Sequence, residues 1–282
     1  MLAFSESLDY NDAMIQSGRN KMYTKETLRC QLRQMGIQPN DTVLVHTSLR
    51  TIGQVEGGAD GLIDLFHSYL SQGLFLVPTH TWADVNAANP VYDVSNSVPC
   101  IGTLPRIAAN RPDGFRSLHP THSIWGIGHD AADYLQGEEN AGSPGASGFA
   151  WDALADRGAK ILLIGVGHNR NTFIHSIDER AGLPDRLAEK AIAVTIVDHD
   201  GKLRSSTMRP HFCSKTNDVS QFYVNFEKPL IEMGAQAFGK LGNADVRIVD
   251  AKKCREIIMT IYSRAKEDIF TEFREIPEEL YR

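Results

Sequence analysis

Cysteine is scarce in this sequence, with Cys30, Cys100, Cys213 and Cys254 standing far apart and none in a CxxC pair. Metal-knuckle and redox-motif readings therefore fail. Reduced, partly buried thiols in a reducing compartment are expected instead. No apolar run approaches the ~20 residues that cross a bilayer. The opening MLAFSESLDYNDAMIQ has early acidic residues and no apolar h-region, so it does not read as a signal peptide, and a cytoplasmic location is expected. A basic excess is also missing. The formal net charge is -6, which disfavours nucleic acid as a partner, because neutralising phosphates needs a basic face. Several catalytic signatures are absent too. There is no GxxxxGK[ST] and no HExxH, and GVG at 165–167 lacks dinucleotide spacing. GASG at 145–148 does not fit the GxSxG nucleophile elbow.

What is present is ordinary for a soluble globular enzyme: 42% apolar and 23% charged residues. The length suits a large core, and one domain over 1–282 is expected, with 1–22 as an N-terminal arm. Thr24 reads as the N-cap of a helix ending at Gly36. TVLVHTSL (42–49), LFLVPTHTW (74–82), 121–128 and KILLIGVG (160–167) read as buried strands. ADGLIDLFHSYL, 102–109 and SGFAWDALADRG read as helices, the last capped by Ser147 and stopped at Gly158. AIAVTIVDHDGKLRSSTMRP reads as a hairpin turning at Asp200-Gly201. Helices are expected over 228–240 and 251–269, with the strand DVRIVD between them. Strands alternating with helices predict a layered α/β fold. Its sheet should be mixed, because the hairpin adds an antiparallel element. The long C-terminal helix can pack internally or against a partner chain, so a homodimer stays open.

Polar residues gather where strands end: His46-Thr47-Ser48, Thr79-His80-Thr81 with Asp84, and Gly165 to Thr172. Ligands of open α/β sheets sit outside such strand ends. The richest stretch is GVGHNRNTFIHSIDERAGLP (165–184). Thr172 as N-cap puts His175 in the first helical turn, and Gly182 and Pro184 stop the helix. Asp178 and Glu179 lie three and four residues on, so either carboxylate can share the face of His175. A carboxylate orients an imidazole and stabilises its cation, as a general base needs. A surface helix whose acids complement the N-terminal dipole fits the spacing equally well. In RSLHPTHSIWGIG (116–128), Pro120 separates His119 from His122 and breaks the helix a zinc pair would need. A polar loop with Arg116 and Ser117 able to hold a ligand is the alternative to a histidine-rich surface turn. HTSLRTIGQVEGG (46–58) can turn backbone N–H groups toward an anion.

Taken in order, HTSLRTIG-VEGG, LFLVPTHTW, RSLHPTHS, SPGASGFAWDAL and KILLIGVGHNRNTFIHSIDERAGLP resemble the antibiotic N-acetyltransferase family, whose named members are aminoglycoside 3-N-acetyltransferases. The resemblance spans roughly residues 25–250. It implies a three-layer α/β/α-type fold with a mixed central β-sheet, distinct from GNAT acetyltransferases. It implies acetyl-CoA as donor, an amine-bearing acceptor such as an aminoglycoside or amino sugar, and no metal. The family's Thr-x-x-His-x-x-acid helix falls on Thr172, His175 and Asp178. The family usually has Glu at the last position; here it is Asp, with Glu179 beside it. The H-x-S-L segment lining the CoA site falls on His46, Thr47, Ser48 and Leu49, and the R-S pair on Arg116 and Ser117. Family members that confer resistance often carry Asn where this chain has His119.

On this reading His175 takes a proton from the attacking amine, because an ammonium has no lone pair. Its place in the first helical turn opposes the imidazolium, which gives the neighbouring carboxylate a job. Thr79, Thr81 or a backbone N–H near Ser48 can supply the oxyanion donor. Thr79, Asp84 and His122 are expected on the acceptor's side, Asp84 opposite a second ammonium. Two other classes stay open. One is a metal-dependent hydrolase using His80, His119, His122 and His175. The other is a CoA-binding module without catalysis.

Overall fold

A computed structural model describes residues 22–265 and 270–282. The N-terminal arm, apart from Met22, and residues 266–269 of the expected last helix lie outside the described residues. The elements follow in chain order. β1 (Met22–Tyr23) leads to α1 (Lys25–Gln34), β2 (Thr42–Thr47), α2 (Leu49–Ile52), β3 (Gln54–Val55) and α3 (Gly58–Tyr69). Then come β4 (Leu74–Pro78), β5 (Val91–Asp93), α4 (Thr103–Ala109), β6 (Phe115–Arg116), β7 (Ile124–Gly128) and α5 (Ala131–Leu135). α6 (Ala150–Asp156), β8 (Lys160–Ile164), α7 (Phe173–Arg180), β9 (Ile192–Val197) and β10 (Leu203–Met208) follow. A 3-10 segment, Val219–Phe226, runs into α8 (Glu227–Glu232), β11 (Gln236–Leu241), β12 (Ala244–Asp250) and α9 (Ala251–Arg264).

Seven strands form the main sheet in the order β11-β12-β8-β2-β4-β7-β6. Its centre, β8-β2-β4, is parallel, and both flanks are antiparallel. The central strands are apolar on both faces, and the period of two divides them. Leu44, Leu76, Ile161 and Leu163 face a core with Trp151, Phe173, Ile177 and Ile258 from α6, α7 and α9. Val43, Val45, Phe75, Leu162 and Ile164 face the opposite core, with Leu28, Leu62, Phe66 and Leu104 from α1, α3 and α4. Two helical layers thus enclose one mixed sheet, the three-layer α/β/α arrangement expected from the sequence. α9 buries Cys254, Ile258 and Ile261 in the first of these cores, so its apolar face is used within the chain.

Thr24 caps α1 as expected, its Oγ1 accepting from Thr27 N at 3.2 Å. The hairpin also forms at its expected turn: Gly201, at φ +75°, donates to Asp198 O. It does not make the central sheet mixed, however. β9 and β10 join β5 in a separate three-stranded sheet, and β11, β12, β7 and β6 supply the antiparallel members. The helix expected over 228–240 is the clearest correction. α8 stops at Glu232, Gly234 turns at φ +68°, and the chain becomes β11, paired with β12 from Gln236↔Val249 to Leu241↔Ala244. The Gly242-Asn243 pair between these strands is a two-residue hairpin signal that a helical reading overran. β4 ends at Pro78 rather than at 82, and Ala265 leaves the helical conformation directly after α9. Ser147 does not cap α6: its N-cap is Phe149, and the Glu138 carboxylate receives Ala150 N at 2.8 Å.

Candidate active site

The carboxyl ends of β2, β4 and β8 open onto one cleft of about 750 Å³. Each central strand ends in polar residues because the sheet stops there and its next side chains meet solvent or ligand. His46, Thr47 and Ser48 follow from β2, His80 from β4, and Asn169, Arg170 and Thr172 from β8; His122 and His175 also line the wall. The β8 turn depends on Gly165, at φ +64°, where a Cβ would lie 1.9 Å from Thr51 Oγ1.

An unbroken row of rings crosses the cleft floor. His46 stacks on Trp151 at 6.2 Å between centroids, Trp151 meets His80 at 5.5 Å, and His80 meets His122 at 4.5 Å. His122 meets His211 at 5.0 Å, and His211 stacks on His175 at 4.0 Å. Burial holds His175, His80 and His122 well below the ordinary histidine pKa, with neighbouring imidazoles adding to the effect. Burial lowers His46 to about 3 and His119 to about 4. His46, His80, His122 and His175 are therefore neutral at pH 7.

His175 sits in the first turn of α7, as the sequence predicts, although the Thr172 side chain caps nothing. Neither carboxylate reaches it directly. Its Nδ1 lies 2.7 Å from Tyr223 Oη, which donates to Asp178 Oδ2 at 2.6 Å. Since that hydroxyl proton goes to the carboxylate, the hydroxyl oxygen accepts from His175 Nδ1–H. This tautomer leaves the Nε2 lone pair on the opposite edge of a ring that lines the cleft. Asp178 is buried and held by Tyr262 Oη and by Arg186 Nε at 3.5 Å. Burial lifts its pKa to about 6, against the opposing pull of both tyrosines and Arg186. Tyr223 and Tyr262 are pushed well above 10 by burial first and the Asp178 charge second, so both remain protonated donors.

Glu179 points elsewhere. Its Oε1 accepts from Gly145 N at 2.7 Å and lies 3.1 Å from His211 Nε2, and its Oε2 accepts from Ser143 Oγ. Gly145 can approach because it has no Cβ; one would lie 2.7 Å from Ser176 Cα. His211 is brought in by a β-bridge to Leu187, just beyond α7.

The other expected residues divide. His46, Thr47, Ser48 and His122 line the cleft, and His46 Nε2, Thr47 Oγ1 and His80 Nε2 are buried without a partner among the described residues. Leu49 packs into the core below α1 and α3. Arg116 and Ser117 lie behind the wall. The Arg116 guanidinium donates to Val94 O, Ser97 O and Thr79 O, and Ser117 Oγ receives Ile124 N. Thr79 and Thr81 are buried against Ser123 and Pro120 O, and Ser48 N already donates to Ile164 O. Asp84 is exposed on the loop that gives Trp82 and Val85 to the cleft. His119 Nδ1 accepts two backbone N–H groups and its Nε2 faces Ser143 O at 3.3 Å. With both nitrogens engaged, the set of four histidine ligands is not assembled. Sequence reasoning missed Tyr223, Tyr262, Arg186 and His211. No local spacing pointed to the tyrosines, which lie 45 and 84 residues beyond Asp178.

A half-buried, neutral histidine with a tyrosine–carboxyl chain behind it and an open cleft before it has the chemistry to accept a proton. The chain belongs to the aminoglycoside 3-N-acetyltransferase family, an acyltransferase family, whose model matches residues 44–263. It is 26% identical over 238 residues to aminoglycoside N(3)-acetyltransferase III of Serratia marcescens, covering 78% of this chain and 87% of that protein. It is 26% identical over 247 residues to aminoglycoside N(3)-acetyltransferase IV of a Salmonella species, covering 87% and 88%. Among solved structures, AAC-IIIb in binary complex with CoASH matches with a TM-score of 0.72 at 19% identity, over 84% of this chain and 94% of that one. The AAC(3)-IVa apoenzyme matches with a TM-score of 0.72 at 23% identity, over 92% and 94%. Among the described residues, no helix is long and apolar enough to cross a membrane.

Proposed function

We propose that this protein transfers the acetyl group of acetyl-CoA to an amine, with His175 Nε2 as general base. The observation that carries the reading is the chain His175 Nδ1–Tyr223 Oη–Asp178 Oδ2, with spacings of 2.7 and 2.6 Å. The amine gives up its proton to Nε2 as its nitrogen attacks the thioester carbonyl. The tetrahedral intermediate then collapses, the C–S bond breaks, and the thiolate takes the Nε2 proton from the His175 imidazolium, so that CoA leaves as the thiol and the base is restored. The imidazolium formed at His175 shares its Nδ1 proton with Tyr223, whose own proton leans on Asp178. Above about pH 6 the carboxylate is ionised and supports that cation.

Acetyl-CoA is taken as donor because the family is an acetyltransferase family and a fold neighbour was solved with CoASH. The partnerless His46 Nε2, Thr47 Oγ1 and His80 Nε2 suit a ligand carrying amide and carbonyl groups, as the pantetheine arm does. The acceptor is a small molecule bearing an amine, the class named for the relatives. The test is thiol release from acetyl-CoA over a panel of amines. Turnover should require both substrates, and His175→Ala should lower kcat/KM by at least about 100-fold. A loss under about tenfold would remove His175 as the base.

A further inference from the structure

Within the acetyltransferase reading, the cleft also restricts the acceptor. Its described wall carries one carboxylate, Asp218, and one guanidinium, Arg170. Asp218 already caps the 3-10 segment, receiving Ser220 N at 3.0 Å and Ser220 Oγ at 2.5 Å. The two buried carboxyls nearest the base are also taken. Asp178 is held by two tyrosines and Arg186, and Glu179 by Ser143, Gly145 and His211. Asp84 points to solvent and does not line the cleft. The rest of the wall is imidazole, indole, hydroxyl, thiol, amide and hydrocarbon. Val85, Ile101, Leu104 and Ile192 give the wall apolar surface, and Trp82 and Phe212 stand half-exposed at it, at 51% and 50%.

An ammonium leaves water at a large cost unless a carboxylate receives it. The amine that reacts escapes this cost, because it must be neutral to attack. Every further ammonium on the same molecule does not. An aminoglycoside brings several, and the described wall offers a single carboxylate, Asp218, one oxygen of which is already engaged by Ser220. An aromatic or aliphatic body, by contrast, gains from the apolar lining residues and the two half-exposed rings. We propose that the acceptor is a monoamine with an apolar, ring-bearing body, and that polycationic aminoglycosides are poor acceptors for this chain.

The test compares tryptamine with sisomicin on the full-length protein loaded with CoA, by calorimetry, and with acetyl-CoA, by thiol release. Tryptamine should bind at least about tenfold more tightly and, where turnover occurs, show at least about tenfold higher kcat/KM. Equal or tighter binding of sisomicin overturns the inference and leaves the acetyltransferase reading intact. Binding of neither amine overturns it as well. Thiol release from neither, with CoA bound, sinks the acetyltransferase reading, and the binding ratio still decides this one. The variant Asn217→Asp adds a wall carboxylate with little change of shape. It should shift the binding ratio toward sisomicin by about fivefold or more; no shift means that wall charge does not set the preference.

Discussion

Asp178 and Glu179 are consecutive on one helix, yet they serve different halves of the site. Asp178 turns inward, loses its water, and reaches His175 only through the Tyr223 hydroxyl. Glu179 turns toward the 143–145 loop and takes His211, whose ring stacks on His175. Successive helical positions differ by about 100° of rotation, which suffices to send two carboxylates to two partners. A single histidine–acid dyad is therefore an incomplete description. On the proposed mechanism the Asp178 half sets the tautomer and basicity of His175, and the Glu179 half holds the His211 ring that stacks on it.

That contrast breaks first at His175. His175→Ala removes the proposed base and should cost about 100- to 10,000-fold in kcat/KM by thiol release. Asp178→Asn comes next. It removes the charge that Tyr223, Tyr262 and Arg186 face in a buried setting, so a stability loss of about 1–3 kcal/mol is expected in chemical denaturation. If Asp178→Asn instead matches the wild type in both stability and activity, the buried half has no role. The pH dependence of stability is the third measure. His46, His80, His119, His122 and His175 have depressed pKa values when folded. Below pH 6.5 the unfolded chain binds more protons at these sites, so stability falls as pH falls. His46, lowered to about 3, alone contributes a loss of about 2 kcal/mol by pH 5. Asp178, raised to about 6, and Glu138, raised to about 7, act with the opposite sign, since the folded state holds their protons longer. Five histidines outweigh two carboxyls, so thermal melts should show a lower Tm at pH 5 than at pH 7. A higher Tm at pH 5 would contradict the neutrality of these histidines.

Tyr223→Phe sharpens the contrast. It cuts the link to Asp178 but leaves the ring in place, so about a tenfold loss of activity is expected, along with loss of the activity limb near pH 6. The smallest effect belongs to Glu179→Gln, which can keep its bonds to Ser143 and Gly145. Its activity should stay within about tenfold of wild type, with KM moving more than kcat. A larger kcat loss than Tyr223→Phe would reverse the ranking of the two halves.

Much of the scaffold was legible in the sequence. β2, β4 and β8 announce themselves as apolar runs ending in hydroxyls and histidines, and the loop after β8 leads directly to His175. The helix misread over 228–240 had a local remedy in Gly234 and Gly242-Asn243. The site was less legible, for a physical reason. Helical spacing says which residues share a face, but the partner of Asp178 comes from a 3-10 segment far down the chain, and that of Glu179 from a bridge beyond Pro210. Arg116 shows the reverse error. A basic residue at a strand end looks like a ligand clamp, but three backbone carbonyls already occupy its guanidinium.

Gly145 carries a consequence for how this chain can vary. A methyl group there would collide with the backbone of Ser176, one residue from His175. Alanine is a single base change from glycine and is among the gentlest substitutions on most surfaces. Here it would push on the helix that bears His175, Asp178 and Glu179. A lineage drifting through neutral changes can repaint the cleft wall and so change its substrate, but position 145 is closed to that drift.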